Sequence, residues 1–348
     1  MKPTLVTGAN GHLGNNICRQ LVERGEQVRA MIRASADPAP LAGLDLEIVR
    51  GDIMDAASTQ AATAGCGRVY HTAAAFVMWS TDPEREIIQP CRDGTRIVME
   101  AAAKAGIDKV VYTSTTGTIG FSADPGTPAD EGYRNNDPHT AYVRGKIAAE
   151  EEAFAVAERT KLAMSTIHPG LILGPRFFKV SESVKQIADF VNQGAPAYFD
   201  GGFDIVDVAD VARCSLLAMD KGGDRERYIA SGEHMTIKQV FETLAELTGL
   251  KAPTLRLPTP VLRVAAGLME VGARVTGGRP MLDRQQVDEF VGKYSYFDSG
   301  KAERELGYTY LPARTVLART VAWLVDRGFV EEKRKSALRL DPSLKGAY

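Results

Sequence analysis

Between residues 3 and 168, apolar β-rich runs alternate with stretches of helical periodicity, and this alternation constrains the chain more than any other feature. The runs fall at Thr4–Thr7, Gln27–Ile32, Leu46–Val49, Arg68–His71, Lys109–Thr113 and Ala163–Ile167. Strands separated by helices pair side by side through crossovers, so the pattern predicts a parallel, doubly wound α/β sheet with helices on both faces. Ligands of such sheets bind beyond the carboxyl ends of the strands, so residues that follow a strand are the ones to inspect.

The first strand runs into Thr7-Gly8-Ala9-Asn10-Gly11-His12-Leu13-Gly14 and then into a helix. Gly8 suits a sharp turn, Gly11 removes a side chain where backbone would approach a pyrophosphate, and Gly14 allows close packing of helix on sheet. The helix would then offer N–H groups and a positive dipole end to phosphates. A Rossmann-type dinucleotide domain is expected. After the second strand comes Arg33, followed by Ser35; an arginine there accommodates a 2′-phosphate, so NADP(H) is favoured over NAD(H). Asp37 is the competing ribose ligand.

Tyr142-Val143-Arg144-Gly145-Lys146 lies in a helical segment, His139–Glu158. Residues four apart share a helix face, so the phenol and the ammonium can point into one cleft. A cation beside a phenol stabilises the phenolate and lowers its pKa, which would make a usable proton donor to a carbonyl under reduction. Hydroxyl side chains at Thr113-Ser114-Thr115-Thr116 end the fifth strand, where one could bond an oxygen that develops charge.

After His168 the rhythm breaks at Pro169, Gly170, Gly174 and Pro175. Ile205–Val208 reads as another strand, Ala209–Met219 as a helix, and the chain from Thr236 on as mainly helical with a capped start. The expected organisation is therefore a nucleotide-binding domain over 1–170 with a return at about 204–230. A smaller, interleaved C-terminal substrate-binding lobe covers 171–203 and 231–330, and 331–348 forms a charge-rich, flexible tail. The apolar run Pro260–Val275 carries Arg263, Glu270 and Arg274 on one face, which predicts an amphipathic helix packed on the protein rather than a membrane span, with peripheral membrane contact as the lesser reading.

Composition excludes several classes. The formal charge of −2 over 348 residues gives no long-range attraction for nucleic acid or anionic lipid. Cys18, Cys66, Cys91 and Cys214 are scattered without a CxxC pair, and the five histidines lack ligand spacing, so neither disulfides nor a metal are expected. Met1 and Lys2 pass straight into the first strand, so no signal peptide and a cytoplasmic location are expected.

The glycine turn, the hydroxyl cluster and the tyrosine/lysine helix, in this order, resemble the extended short-chain dehydrogenase/reductase family, within the NAD-dependent epimerase/dehydratase superfamily. Gly51-Asp52-Ile53 looks like the family's adenine-contacting turn, and His71-Thr72-Ala73-Ala74 like the strand end that backs the nicotinamide ribose. His168-Pro169-Gly170 through Gly174-Pro175 is similar to the stretch beside the nicotinamide ring, and Asp207–Val211 to a late strand-to-helix signature. Val28–Arg33 and Thr113–Gly117 are most similar to dihydroflavonol 4-reductase-like and 3β-hydroxysteroid dehydrogenase-like members. The resemblance implies Thr115, two before Gly117, as the catalytic hydroxyl with Ser114 as fallback, Tyr142 as general acid, and Lys146 as holder of the ribose. Asn10, His12, Leu13, Asp52, Ile53, Thr72, Ala73, Ala74, Pro169 and Gly170 would join the glycines and Arg33 around the cofactor. Many relatives carry an asparagine shortly before a Gly-Thr pair; Cys91 precedes Gly94-Thr95 here, which puts that support of the lysine in question.

The reading is thus an NADP(H)-dependent oxidoreductase acting on a ketone or secondary alcohol of an apolar small molecule, of dihydroflavonol, hydroxysteroid or β-keto type. Phe76, Met78, Trp79, Phe177, Phe178, Tyr198 and Phe199 could line its pocket. A sugar-nucleotide epimerase or dehydratase is the first rival; it would hold a diphosphate with cations such as Arg176, Lys179 and Lys185. A cofactor-binding regulator without catalysis is the second. The resemblance also admits a homodimer.

Overall fold

The computed structural model describes residues 2–74, 80–122, 124–276, 278, 280 and 282–348. In chain order the first half holds β1 (Thr4–Thr7), α1 (His12–Glu23), β2 (Val28–Ile32), β3 (Glu47–Arg50), α2 (Ala56–Thr63), β4 (Arg68–His71), α3 (Gln89–Ala105), β5 (Lys109–Thr113), α4 (Ala141–Thr160) and β6 (Met164–Pro169). There follow β7 (Leu171–Leu173), α5 (Glu182–Gln193), β8 (Ala197–Tyr198), β9 (Gly202–Asp207), α6 (Val208–Lys221), β10 (Glu226–Ala230), β11 (Glu233–Thr236), α7 (Ile237–Thr248) and β12 (Leu255–Arg256). The chain closes with α8 (Thr259–Thr276), α9 (Arg284–Phe290), β13 (Tyr294–Ser295), α10 (Gly300–Leu306), α11 (Ala313–Asp326) and α12 (Glu332–Lys335).

Seven strands form the main sheet in the order β10-β6-β5-β4-β1-β2-β3, all parallel. Strand order reverses between β1 and β4, so the glycine turn opens onto the crevice that such a reversal creates. Every residue of β1 and of β6 is buried, as strands covered on both faces must be. On one face α1 and α6 pack through Ile17, Leu21, Val211 and Leu216; on the other α3 and α4 meet through Ala102, Ala149, Ala153 and Ala157, whose small side chains permit a close approach.

Helix α6 leads into β10, which pairs with β6 at the edge of the main sheet. The strand expected near Ile205–Val208 is β9, and it belongs to a second sheet of β11, β9, β13 and β7. That sheet and α5, α7 and α11 enclose a separate apolar core around Phe177, Val184, Phe190, Leu244, Val316, Val321 and Trp323. A capping box at Thr236 and Gln239 starts α7 as anticipated.

Two expectations are corrected. Residues 331–348 are not a loose tail: Arg339 N and Asp341 N donate to the Thr248 and Leu247 carbonyls at 2.8 and 2.9 Å, Leu344 is buried, and Tyr348 meets the Trp323 ring at 5.1 Å. Apolar residues spaced among the charges supply the anchorage. In α8 the expected amphipathic split is incomplete: Leu262, Ala266 and Ala273 pack on the protein, Arg263 pairs with Asp288 and Glu270 with Arg284, both on α9, while the apolar Val264, Leu268 and Val271 point outward.

Deleting residues 337–348 removes these anchors and should lower the unfolding free energy by about 1–3 kcal/mol. An unchanged urea midpoint would mean that the segment contributes no packing.

Candidate active site

The turn after β1 is shaped by steric necessity. Gly8 has φ of +66°, and a Cβ there would come within 2.9 Å of the Ala73 backbone at the end of β4. A Cβ on Gly14 would lie 2.2 Å from the Gly8 carbonyl oxygen, so the start of α1 can rest on the turn only without one. Gly11 is exposed, and a Cβ on it would touch only the Gly8 oxygen, at 3.1 Å. No side chain caps α1, whereas Thr140, Ser181 and Asp207 cap α4, α5 and α6. An open backbone surface over an uncapped helix end is a fitting cradle for a pyrophosphate.

His12 and Asn15 fasten this cradle to the second lobe. His12 Nε2 lies 2.9 Å from the Pro175 carbonyl, and Asn15 Nδ2 donates to the Arg176 carbonyl at 3.0 Å. Leu13 is buried beneath, and Asn10 Nδ2 reaches the Asp37 carbonyl at 3.3 Å.

Arg33 follows β2 directly and is exposed. Its loop is braced by Arg50, whose guanidinium donates to the carbonyls of Arg33 and Ala36 at 3.0 and 2.8 Å. Asp37, the competing ribose ligand, has Oδ1 engaged by Ala39 N at 2.9 Å. Asp52 likewise accepts from Met54 N at 3.0 Å, shaping the turn after β3, and Ile53 packs toward Gly94. Thr72 Oγ1 donates to the Thr7 carbonyl at 2.7 Å and Ala73 N to Thr7 Oγ1 at 3.3 Å, holding Ala73 and Ala74 beside the glycine turn.

At the end of β5 the structure separates the candidate hydroxyls. Ser114 is buried and donates to Glu150 Oε2 in the interior. Thr115 sits half-buried at the turn, and its side chain hydrogen-bonds Tyr142. Lys146, one helical turn on, is buried and donates to Tyr112 Oη at 3.1 Å and to the Thr113 carbonyl at 2.7 Å. The ammonium is thus anchored directly on β5. Cys91 stands against the same helix, its Sγ 3.4 Å from where a Gly145 Cβ would be. The expected fall in the Tyr142 pKa is corrected: burial pushes it up, and the opposing pulls of Lys146 and Thr115 are outweighed.

Sequence reasoning missed the layer beneath. Glu150 accepts from Ser114, from Thr118 Oγ1 at 2.8 Å and from Arg227 at 2.6 Å, all three partners buried. Burial would raise its pKa, but His168, Arg227 and the hydroxyls prevail and hold it below the ordinary value. The signal was available, since Glu150 is four residues past Lys146 on the same buried face. Glu289 of α9 was missed as well; its Oε2 accepts from His139 N and Thr140 N at 2.7 and 2.9 Å, satisfying backbone donors at the start of α4.

Pro169 and Gly170 lie where β6 gives way to β7, the Pro169 carbonyl accepting from Thr116 Oγ1 at 3.1 Å and Gly170 N donating to Ala230 at 3.2 Å. Of the pocket candidates, Phe76, Met78 and Trp79 lie outside the described residues. Phe177 is corrected to core: it is 1% exposed, packed against Trp323 and Phe329, because Trp323 Nε1 bonds its carbonyl and draws it inward. Phe178 is exposed, whereas Tyr198 and Phe199 are half-buried, Phe199 against α8 and α9. Among the described residues no cluster of three potential metal ligands occurs.

The profile of the NAD dependent epimerase/dehydratase family matches residues 4–231. The chain is 36% identical over 338 residues to "Sterol demethylase protein B" of Methylococcus capsulatus, covering 94% of this chain and 99% of that protein. It is 33% identical over 332 residues to a "Putative dihydroflavonol 4-reductase" of Synechocystis sp., covering 94% and 95%. The crystal structure of gox2253 superimposes with a TM-score of 0.84 at 32% identity, covering 95% and 100% of the two chains.

Two enclosed imidazoles, His71 and His168, and the half-buried His12 give the protein an acid-sensitive range. Loss of hydration holds His12 and His168 at about 4 and His71 at about 3, against 6.5 for an ordinary histidine; at His71 Lys146 adds to the effect. Across that interval the unfolded chain binds more protons than the folded one, so stability rises with pH and is lost as pH falls through the unfolded value. The thermal midpoint should therefore drop measurably from about pH 7.5 to about pH 5. A flat profile there would show that the rings are not enclosed.

Proposed function

As a member of the NAD-dependent epimerase/dehydratase family, this chain is an oxidoreductase-type enzyme with a nicotinamide dinucleotide, and we propose that it is an NADP(H)-dependent reductase interconverting a ketone and a secondary alcohol on an apolar small molecule. One observation carries the reading: Thr115, Tyr142 and Lys146 meet beyond the carboxyl end of β5, on the same side of the parallel sheet as the open glycine turn after β1.

The uncovered backbone at Gly8–Gly14 fits the cofactor's pyrophosphate, with Asp52 and Ile53 toward the adenine, Thr72–Ala74, Tyr142 and Lys146 toward the nicotinamide ribose, and Pro169 and Gly170 toward the ring. When bound, the dinucleotide supplies or takes up the hydride. The residues of the chain manage charge and protons. Thr115 Oγ hydrogen-bonds the substrate oxygen as negative charge grows on it. Tyr142 Oη, protonated at neutral pH as an ordinary phenol is, gives that oxygen its proton, and Lys146 stabilises the phenolate left behind. In oxidation the same groups run in reverse.

Arg33 supports the phosphorylated cofactor, because its rival Asp37 is spent on capping a turn. The substrate class is supported by half-buried Tyr198 and Phe199 on the lobe, and by relatives named for a sterol and a dihydroflavonol. A ring ketone of the dihydroflavonol or hydroxysteroid type fits best. Of the cations a sugar-diphosphate substrate would need, Lys185 is engaged with Asp189.

NADPH consumption should be screened with flavanonols, hydroxysteroids and β-keto compounds. With the best substrate, Tyr142→Phe should lower kcat by about 10²–10⁴-fold while NADPH affinity, read by fluorescence, stays nearly unchanged. Thr115→Ala should cost kcat, and Ser114→Ala chiefly stability. A fully active Tyr142→Phe enzyme would remove the basis of the proposal. Separately, Arg33→Asp should raise the KM for NADPH roughly tenfold or more and leave that for NADH little changed. Equal effects on both would assign the 2′-phosphate elsewhere.

A further inference from the structure

Helix α8 carries an apolar face that nothing among the described residues covers. Val261, Val264, Leu268 and Val271, spaced by three and four residues, are 52%, 66%, 70% and 59% exposed. Ala265 and Gly272 lie along the same face, so no charge interrupts it. A different face, with Leu262, Ala266 and Ala273, is the one buried against the protein. A single exposed apolar side chain is ordinary; four on one face of one helix are not.

The rim is cationic. In three ion pairs around this helix the guanidinium is the outer member: Arg263 over Asp288 at 61% against 26% side-chain exposure, Arg284 over Glu270 at 55% against 14%, and Arg256 over Asp200 at 62% against 42%. Asp288 and Glu270 lie beneath and Asp200 is the less exposed of its pair, so the outermost groups around the apolar face are positive.

We propose that α8 is the face by which this protein rests on an anionic lipid bilayer. The four side chains sink to the boundary between headgroups and acyl chains, and Arg263, Arg284 and Arg256 meet lipid phosphates. A helix lying flat needs to submerge only about 5–10 Å, which suits one row of aliphatic side chains. Size argues against a second copy as the occupant. The row exposes a few hundred Å², well below the roughly 800 Å² per partner of a stable protein interface. Among the described residues no helix is long and apolar enough to cross a membrane.

The position of the helix gives docking a use. Leu262 and Ala266 pack with Val287 and Val291 and with half-buried Phe199. Through Glu289, α9 holds the start of the helix that bears Tyr142. A lipid-bound α8 would set the substrate lobe against the bilayer, where a sterol-like or polyaromatic ketone partitions. This consequence rests on the proposed substrate class, but the docking does not.

The test uses the full chain and reads binding without turnover. Flotation with vesicles of phosphatidylcholine containing about 30% phosphatidylglycerol should carry the protein upward, with weaker recovery on pure phosphatidylcholine or in high salt. The double variant Val264→Asp/Leu268→Asp should bind at least about tenfold more weakly while keeping its circular dichroism, thermal midpoint and turnover of a water-soluble ketone. Absence of wild-type flotation on the anionic vesicles overturns the proposal, as does undiminished flotation of a folded double variant. A wild type that sediments as a dimer, dissociated by the double variant, would give the face to a second copy and overturn it equally.

Discussion

The site depends on an ammonium group kept inside the protein. Lys146 is 3% exposed, and an unpaired charge at that depth would be costly. It persists because the carboxyl end of β5 supplies the Thr113 carbonyl and the Tyr112 hydroxyl, both within hydrogen-bond distance. That bond fixes the rotation of α4, and with it the phenol one turn earlier. The close approach of α3 and α4 through small residues, and the glycine at position 145, serve the same end by bringing the helix near enough to the sheet for the lysine to reach.

A second tier of charge lies underneath. Glu150, Arg227 and the hydroxyls of Ser114 and Thr118 bind one another at depth, tying β5, α4 and β10 together. A buried ion pair is weak evidence for stability, since replacing both charges with apolar groups is often neutral, whereas losing one partner alone is costly. Here it orients the turn after β5: with Ser114 drawn inward, its neighbour Thr115 is the hydroxyl left facing Tyr142. Below this layer His168 remains neutral, its Nδ1 3.1 Å from the Thr115 carbonyl.

Much of this was legible in the sequence because local chemistry coincided with global topology. The spacing of Gly8, Gly11 and Gly14 between a strand and a helix, and of Tyr142 and Lys146 on one helix, has few structural solutions. What stayed hidden depended on long-range partners. The strand near Ile205 was visible, but nothing in it told which sheet would accept it, and β10 escaped notice because Glu226–Ala230 begins with charged residues. Phe177 looked like a pocket residue until Trp323, far along the chain, turned out to hold it. The anchoring of the last eighteen residues was masked by their charges, and the upward Tyr142 pKa by burial that spacing alone does not reveal. The departure at Cys91 raised a question about the lysine that only the contacts from β5 could answer.

The paired links from α1 to the second lobe have a mechanical meaning. His12 and Asn15 stand at the very start of the helix whose N–H groups face the glycine turn, and they grip the carbonyls of Pro175 and Arg176. Arg176 adopts a left-handed backbone, φ +68°, that non-glycine residues seldom take, so the gripped segment has little slack. A displacement of the helix end by even an ångström must stretch one of these bonds or drag the segment along. Nucleotide-binding and substrate-facing halves therefore share a single rigid joint, and whatever loads one side is felt by the other across the width of an imidazole ring.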